Sequence, residues 1–389
     1  MRILMVAPQP FFRPRGTPFS VLHRIRGLAM LGHTVELVTY PFGESPSVSG
    51  LTIHRAVRPP MIRDVAIGPS VGKVILDIPL FRLASKLARS GRFDFIHTHE
   101  EAGWLGARLR RSMGLPHLYD MHSSLPQQLL NFGRFQPAVS LFKHLEGYTL
   151  GGSDAVIAIC QDLADHARTS GYTGPLAMIE NTLDFPVPPV SDDVLAELRA
   201  RLDLGDGRVV VYTGTLEPYQ GMNLLLDASA AVLQRLPPTR FVVVGGTAEQ
   251  VANLRQHATR AGVAHAFRWV PPVPPDEVPR YLQLADVLVT PRVRGTNTPL
   301  KIYQYLRAGR PIVATSIRAH TQVLDHTLAE LVAPEPGPMA AGLVRVLTEA
   351  PYARRLGEAA AAAAQERYGD RQYLDRLEGL LRRMALRSA

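Results

Sequence analysis

The sequence predicts an α/β protein with two doubly wound domains, and three observations support this prediction. Short apolar runs alternate with stretches whose apolar residues recur at helical spacing, and the alternation occurs in both halves of the chain. A proline-rich segment, 186–193, separates the two series, and prolines favour an exposed, extended chain. The chain of 389 residues is also longer than a domain with a single hydrophobic core usually is.

The first series begins with a strand–loop–helix–strand unit, which predicts a parallel sheet because its crossover connects strands that run in one direction. Its strands are expected at 2–8, 34–40, 93–99, 116–122, 155–160 and 176–185. The helices between them are expected at 20–33, 100–114, 137–152 and 161–171. The first domain is therefore predicted to cover residues 1–185.

The second series predicts a domain over 208–365, preceded by a linker over 186–207 that contains a short helix. Its strands are expected at 208–214, 239–246, 265–270, 286–291 and 311–315, with helices after each of the first four. The Ala-rich end of the chain reads as helical, and 366–389 is assigned to a final helix. Two series of this kind indicate two Rossmann-like domains.

Composition narrows the classes of protein that fit. The single cysteine, Cys160, excludes an internal disulfide and suits a reducing, cytoplasmic compartment. The net charge of +9 suits a phosphorylated ligand, nucleic acid or an anionic membrane surface. Nucleic acid is disfavoured, because the sequence has no zinc-finger spacing and no aromatic ribonucleoprotein motif. Basic clusters at 81–93, 108–112 and 381–388 keep peripheral contact with the inner membrane surface open.

Polar residues at the ends of the first-domain strands are candidate ligand contacts, since open parallel sheets bind ligands beyond the carboxyl ends of their strands. Gly16 follows the first strand and lets the backbone approach a ligand. His97 and His99 share one strand face, and His122 ends the next strand. The two histidines lack a third metal ligand at a familiar spacing, and the chain has no Asp-x-Asp motif, so no metal is expected.

The second domain has a conspicuous excess of positive charge. No acidic residue occurs between Asp286 and Asp325. A helix is predicted to begin at Thr298-Pro299, with Thr298 as N-cap, and Lys301 then falls in a first turn that favours anions. Together with Arg292 and Arg294, this pattern predicts a phosphate or diphosphate site.

With these residues in view, the chain resembles the family 4 glycosyltransferases, retaining enzymes of the GT-B fold. The matching segments are spread over nearly the whole length. They are "RGTPFSVLHRIRGLAMLGHTVELVTY", "FDFIHTH", "MIENTLD" (with Asn181 and Asp184), "FRWVPPVPPDEVPRYLQLADVLVTP", "YLRAGRPIVAT" and "ERYGDRQYLDRLEGLL".

The resemblance implies two domains facing across a cleft, with the last helix packing back on the first domain. It implies that His122 and the Gly16 loop lie near the reacting sugar, and that Thr17, His99 and Glu100 lie on the acceptor side. It also implies that the second domain holds the nucleotide sugar. The residues expected to contact this donor are Gly214, Thr215, Gln220, Gly245, Val270, Arg294, Thr296, Asn297, Thr298, Leu300 and Gln304.

Three positions depart from the pattern of the family. Its two glutamates, eight positions apart, align with Thr296 and Gln304, and its Lys-Gly aligns with Gln220-Gly221. Neutral side chains can bond sugar hydroxyls, but they bring no charge. We therefore expect Lys301, assisted by Arg294 and the amides of 297–301, to replace the missing cation and to act in catalysis.

The function that these expectations favour is metal-independent transfer of a hexosyl unit from a UDP- or GDP-linked sugar to a hydroxyl of a lipid-linked or saccharide acceptor, with no cofactor. A sugar-nucleotide epimerase is an alternative, since it also has two Rossmann-like domains. The absent glutamates keep open a catalytically silent nucleotide-sugar-binding partner. A Rossmann dehydrogenase is disfavoured, because residues 7–18 lack Gly-x-Gly-x-x-Gly.

Overall fold

A computed structural model describes residues 1–13, 16–65, 70–124, 126, 139–180 and 190–388. The chain divides into two compact units. The first unit comprises Met1–Leu183 together with Asp370–Ala389, and the second comprises Asp184–Gly369. The predicted Asn181 and Asp184 lie outside the described residues.

The first unit is a seven-stranded parallel sheet with the order β3-β2-β1-β4-β5-β6-β7. Its strands are β1 (Arg2–Ala7), β2 (Thr34–Thr39), β3 (Leu51–Arg55), β4 (Phe95–His99), β5 (His117–Met121), β6 (Ala155–Ala158) and β7 (Leu176–Met178). Its helices are α1 (Gly16–Met30), α2 (Val71–Ser90), α3 (Gly103–Met113), α4 (Val139–Gly151), α5 (Gln161–Thr169) and the terminal α14 (Asp370–Ser388). The order reverses between β1 and β4, so the carboxyl ends of these strands flank the point where doubly wound sheets bind ligands.

The second unit is a six-stranded parallel sheet with the order β10-β9-β8-β11-β12-β13. Its strands are β8 (Val209–Thr213), β9 (Arg240–Val244), β10 (Phe267–Val270), β11 (Val287–Thr290), β12 (Ile312–Thr315) and β13 (Glu330–Val332). Its helices are α6 (Asp192–Arg201), α7 (Met222–Arg235), α8 (Ala248–Arg260), α9 (Val278–Leu284), α10 (Lys301–Ala308), α11 (Arg318–Thr321), α12 (Pro336–Thr348) and α13 (Ala350–Tyr368). Here the strand order reverses between β8 and β11.

The apolar runs become strands because their side chains are buried on both faces of the sheets. Every residue of β4, β5 and β8 is buried, including the polar His97, Thr98 and His99 of β4, because both faces of a parallel sheet are covered. In the second unit, α7 and α12 cover one face of the sheet, while α9 and α10 cover the other. The predicted α/β class with two Rossmann-like sheets is confirmed.

Several elements differ from the prediction. The short helix predicted within 186–207 is present as α6, but it buries Leu198 in the core of the second unit, so this part of the segment packs with that unit. The sequence pattern also missed β3, β13 and the first half of α2. The two strands are short, and four of their eight residues are polar. The start of α2 carries apolar residues on its exposed side as well as on its buried side, so its pattern has no clear polar face.

Candidate active site

In the second unit, the carboxyl ends of β8 and β9 approach each other closely. Gly214 and Gly245 follow these strands with φ of 131° and 120°, values that favour glycine. A Cβ on Gly245 would lie 2.2 Å from the carbonyl oxygen of Gly214. The amide of Gly214 donates to Val244 and that of Gly245 donates to Val270, at 2.9 Å in each case. These amides are therefore used by the backbone of the sheet, and what the glycines contribute is space.

Lys301 fills the space beside Gly214. A Cβ on Gly214 would lie 2.9 Å from the ammonium nitrogen. The same nitrogen lies 3.7 Å from the centroid of the Tyr212 ring. It is buried and has no hydrogen-bond partner among the described residues. Burial, reinforced by repulsion from Arg292, lowers the pKa of Lys301 well below its usual value.

The start of α10 differs from the sequence expectation. The helix begins at Lys301, and Leu300, already in the helical region, occupies the N-cap position. Within the described structure, the buried hydroxyl of Thr298 accepts no hydrogen bond, so Thr298 is not the cap. The amides of Ile302 and Tyr303 donate to Pro299 and Leu300, three residues back. This tighter turn precedes the helix and carries Lys301 inward rather than into solvent.

Arg292 is the arginine that organizes the loop before α10. Its guanidinium donates to the carbonyls of Arg294 (2.7 Å) and Asn297 (3.2 Å) and lies 5.1 Å from the Tyr219 ring centroid. A Cβ on Gly295 would lie 2.2 Å from this guanidinium, and Gly295 has a φ of 115°. Arg294 is instead exposed. Arg292, and not Arg294, contributes the repulsion that lowers the pKa of Lys301, so the assistance expected from Arg294 stays a prediction.

The neutral positions of the site are arranged around the same loops. The side-chain amide of Gln220 donates to the Thr215 hydroxyl (3.4 Å), and its buried carbonyl oxygen has no partner among the residues described. The backbone of Val293 donates to Tyr219 (2.9 Å), which joins the loop of residues 214–221 to the loop of residues 291–297. Thr296 is exposed, whereas Leu300 and Gln304 are half-buried.

Sequence reasoning missed two buried residues that support these loops. The ring of His320 lies 3.1 Å from the Thr290 hydroxyl and 2.8 Å from the Thr315 carbonyl. Burial lowers the pKa of His320 to about 4, so the ring is neutral at neutral pH. The hydroxyl of Tyr305 accepts a bond from the Thr213 amide (2.9 Å). A lone histidine and a tyrosine inside helices carry no spacing signal that would reveal such contacts.

In the first unit, the start of α1 meets the end of β4. The Thr17 hydroxyl donates to the Glu100 carboxylate (3.1 Å), so two predicted acceptor-side residues are brought together. Gly16 begins α1 with a φ of 33°. Glu100 has a φ of 48°, a left-handed conformation that is costly for a residue with a side chain.

The histidines next to this contact surround one buried carboxylate. Asp120 lies 3.4 Å from His97 and 3.4 Å from His122. The ring of His99 lies 2.9 Å from that of His122. His99 is completely buried and its ring stacks on that of His122, so its place on the acceptor side stays a prediction.

Arg24 neutralizes the carboxylate. Its Nε donates to Asp120 (2.7 Å), and both side chains are fully buried. Burial alone would raise the pKa of Asp120, but Arg24 and the histidines hold that pKa well below its usual range. Burial lowers the pKa of His97 and of His99, despite the opposing effect of Asp120, so both rings are neutral.

The sequence pattern offered no third metal ligand beside the two histidines, and the structure corrects this. The ligand atoms of His97, His99 and Asp120 lie within 4.8 Å of one another, as metal ligands can. However, Arg24 already brings a buried positive charge to the same carboxylate. A second cation at that position would be repelled by the guanidinium.

Two family models match the chain. The model "Glycosyltransferase Family 4" matches residues 14–185. The model "Glycosyl transferases group 1" matches residues 207–349. Together they cover the carboxyl edges of both sheets, where the residues described above lie.

Two relatives extend this result over most of the chain. A phosphatidyl-myo-inositol mannosyltransferase of Mycobacterium tuberculosis is 29% identical over 383 residues, which covers 95% of this chain and 93% of the relative. A D-inositol 3-phosphate glycosyltransferase of Jonesia denitrificans is 26% identical over 360 residues, with coverages of 85% and 82%.

Solved structures share the fold. The sucrose-phosphate synthase of Thermosynechococcus elongatus has a TM-score of 0.81 at 20% identity, with 99% of each chain covered. Anabaena HepE in complex with UDP has a TM-score of 0.76 at 18% identity, with 98% of this chain and 100% of that chain covered. The chain belongs to the family 4 glycosyltransferases and has their GT-B fold.

Proposed function

We propose that the protein transfers a hexosyl unit, with retention of configuration, from a nucleotide-diphosphate sugar to a hydroxyl of a lipid-linked or saccharide acceptor, without a metal. The observation that carries this proposal is Lys301, a buried amine without a hydrogen-bond partner in the described structure. A diphosphate oxygen beside Gly214 would supply the missing partner and restore the positive charge of the amine.

The relatives support a nucleotide sugar as the donor. HepE has been solved with UDP and with UDP-glucose, and a UDP- or GDP-linked sugar suits the excess of positive charge in the second unit. The curated relatives are named for inositol phosphate and phosphatidyl-inositol acceptors, which are hydroxyl compounds. We therefore expect a hydroxyl nucleophile here as well.

The proposed mechanism depends on stabilization of the leaving diphosphate. Lys301 would neutralize the charge that develops on it, and Arg292 would add a second positive charge nearby. These two side chains would take the place of a divalent cation. The acceptor proton would pass to a departing phosphate oxygen, with His122 contacting the reacting sugar. Because Thr296 and Gln304 stand where the family has glutamates, no glycosyl–enzyme intermediate is proposed.

The test is donor binding to the wild type and to Lys301→Met, measured by calorimetry and thermal unfolding with UDP-, GDP- and dTDP-sugars. A donor at one hundred times its Kd should stabilize the wild type by about 2.7 kcal/mol. Losing one charge-assisted contact costs about 1.5–3 kcal/mol, so Lys301→Met should bind the donor about 10- to 150-fold more weakly.

Lys143→Met is the matched control, since Lys143 is exposed on α4 of the first unit. It should bind the donor as the wild type does. If no nucleotide sugar stabilizes the protein, the donor proposal is wrong. If Lys301→Met binds normally, the role of Lys301 is wrong. Product NMR should show retained anomeric configuration, and EDTA should leave turnover unchanged.

A further inference from the structure

A groove with a volume of about 700 Å³ lies on the first unit, and residues of α2, α3 and α4 line it. Along α2 the lining extends from Val74 to Arg89, which corresponds to about 22 Å of helix. We call it the α2–α4 groove. A groove of this length accommodates an extended ligand rather than a single sugar ring.

Aromatic rings form the wall of the α2–α4 groove. Phe81 of α2 and Trp104 of α3 pack edge to face, with ring centroids 5.0 Å apart. Phe142 of α4 also lines the groove. All three side chains are half-buried, so part of each ring stays open to a ligand. Exposed aromatic surface of this kind packs well against the C–H faces of sugar rings.

Arginines line the groove toward the end of α2. Arg82 and Arg89 of α2 and Arg108 of α3 are exposed. In the part of the chain that the structure describes, none of the three forms an ion pair. The carboxylate of Glu146, which also lines the groove, pairs with His166 instead (2.6 Å). Because guanidinium groups bond carboxylates and phosphates through parallel N–H donors, this part of the groove suits an anionic ligand.

Carboxyl groups line the other end of the groove, at the edge of the sheet where the acceptor side is proposed. Glu100 lines the groove and accepts the bond from Thr17 at the start of α1. Asp77 accepts a bond from the Tyr40 hydroxyl (2.6 Å). Burial raises the pKa of Glu101 to about 8, so its carboxyl is mostly protonated at neutral pH. A protonated carboxyl both donates and accepts hydrogen bonds, as sugar hydroxyls do, and it does not repel an anionic ligand.

We propose that the α2–α4 groove binds the chain of an acidic oligosaccharide, whose terminal sugar presents the acceptor hydroxyl at the carboxyl edge of the sheet. The other sugar rings pack on Phe81 and Trp104, and their acid groups contact Arg82, Arg89 and Arg108. This inference rests on the proposed transfer reaction and adds the class of its acceptor.

An acidic oligosaccharide is the occupant that matches every part of the groove. It combines C–H faces for the aromatic wall, hydroxyl groups for the carboxyl end and negative charges for the arginines, all in one extended chain. An alkyl chain would match the aromatic wall alone. A neutral oligosaccharide would leave the arginines without anionic partners.

The test is calorimetric titration of the full chain, without any donor, with acidic and neutral tetrasaccharides. The acidic probes are tetragalacturonate, a hyaluronan tetrasaccharide and a heparin tetrasaccharide, and the neutral probes are maltotetraose and cellotetraose. At least one acidic probe should bind more tightly than both neutral probes, and its binding should weaken as salt is added. Each exposed ion pair changes affinity by up to about fivefold, so Arg82→Gln with Arg108→Gln should bind this probe about tenfold more weakly.

Trp104→Leu tests the aromatic wall separately. It should weaken the binding of acidic and neutral probes alike, at unchanged net charge. Trp104 and Trp269 are the two tryptophans of the chain, so the fluorescence of Trp269→Phe reports on Trp104 alone and should change during titration. Because Trp104 is half-buried, circular dichroism checks that Trp104→Leu is folded, and the exposed arginine pair tests the groove independently of that variant.

Arg255→Gln with Arg260→Gln is the matched control, since it makes the same charge change on exposed residues of α8 in the second unit. It should bind the acidic probe as the wild type does. Absence of binding by every tetrasaccharide, equal binding by the two arginine double variants, or tighter binding of a neutral probe would overturn the proposal. A change in Trp104 fluorescence with dodecyl phosphate, while no tetrasaccharide binds, would instead identify an alkyl chain as the occupant.

Failure of this inference is distinguishable from failure of the proposed function, because the tetrasaccharide titrations contain no donor. If the nucleotide sugars bind and the tetrasaccharides do not, only the acceptor class is wrong. If no nucleotide sugar binds, the proposed transfer reaction is wrong, whatever the groove binds.

Discussion

An amine enclosed by an aromatic ring and a backbone has fewer favourable contacts than an amine in water. Lys301 lies over Tyr212 and beside Gly214, with the guanidinium of Arg292 as its charged neighbour. The cation–π contact recovers part of the lost hydration, but the repulsion from Arg292 opposes it. A residue of this kind destabilizes the folded chain when protonated and is suited to an anionic ligand.

Because Lys301 is buried in this way, the free energy of unfolding of the protein should depend on pH. The pKa of Lys301 is lower in the folded chain than its usual value of 10.5, so the unfolded chain binds the extra proton in the interval between them. Its contribution to the free energy of unfolding therefore rises with pH over that interval. We expect Lys301→Met to be more stable than the wild type near neutral pH, with a difference that shrinks as the pH approaches 10.5.

Urea unfolding of both proteins from pH 7 to pH 10 measures this difference, because other titrating groups are common to the two. Lys143→Met, which removes an exposed lysine, is measured beside it as the control. A difference for Lys301→Met that stays constant or widens with rising pH would show that the amine is not desolvated.

At the scale of elements, one buried ion pair connects three parts of the first unit. Arg24 of α1 donates to Asp120 of β5 (2.7 Å) and to the Tyr373 hydroxyl of α14 (2.7 Å). Nearby, Arg376 of α14 pairs with Glu180. The same carboxylate of Asp120 faces the rings of His97 and His122, so the packing of α14 and the position of the histidines depend on one charge balance.

Replacing Arg24 should lower the free energy of unfolding by more than the loss of its own contacts accounts for. In Arg24→Met, Asp120 would be buried without its partner, and breaking a buried pair in this way typically costs about 3–5 kcal/mol. We expect that loss in the unfolding transition of the first unit, measured by denaturant titration. Tyr373→Phe, which keeps the ion pair, should cost less, about 1.5–3 kcal/mol.

Asp120→Asn combined with Arg24→Met should recover part of the stability lost by Arg24→Met, since the uncompensated charge is gone. If the single and double variants are equally destabilized, the loss reflects packing of the arginine stem and not the charge. If Arg24→Met unfolds like the wild type, the buried pair does not stabilize the unit.

At the scale of the whole molecule, the chain enters the second unit near Asp184 and returns to the first at Asp370. Helix α14 therefore completes a unit whose sheet was formed by the first 178 residues. It buries Tyr373, Leu377, Leu380, Leu381 and Met384 there. Within the described residues, no helix is long and apolar enough to cross a bilayer.

Truncation after Gly369 should accordingly damage the first unit and spare the second. Each of the buried side chains on α14 contributes about 1.5–3 kcal/mol when fully buried, and their sum is comparable to the whole stability of an ordinary domain. Limited proteolysis should cleave within residues 1–183, while a fragment containing 190–369 persists. A control truncation after Leu386 should resist protease as the full chain does. Equal resistance of the Gly369 truncation would show that α14 is dispensable.

The alternation of apolar runs and helices by itself determined the two parallel sheets, because these patterns record burial along contiguous segments. The run of cations without acids likewise marked the segment from Arg292 to Lys301, since local charge balance is visible in sequence. Hydrophobic periodicity and charge are local properties of the chain, and both can be read from the sequence alone.

Only the tertiary structure decided which groups meet. Arg24 and Asp120 are 96 positions apart, and nothing in the sequence indicates that they pair. The turn before α10 directs Lys301 inward and leaves Arg294 exposed, although the two residues look equivalent in the charge pattern. Burial and pairing depend on the packing of distant segments, so the chemical state of Lys301, Asp120 and the histidines follows from the fold and not from their spacing.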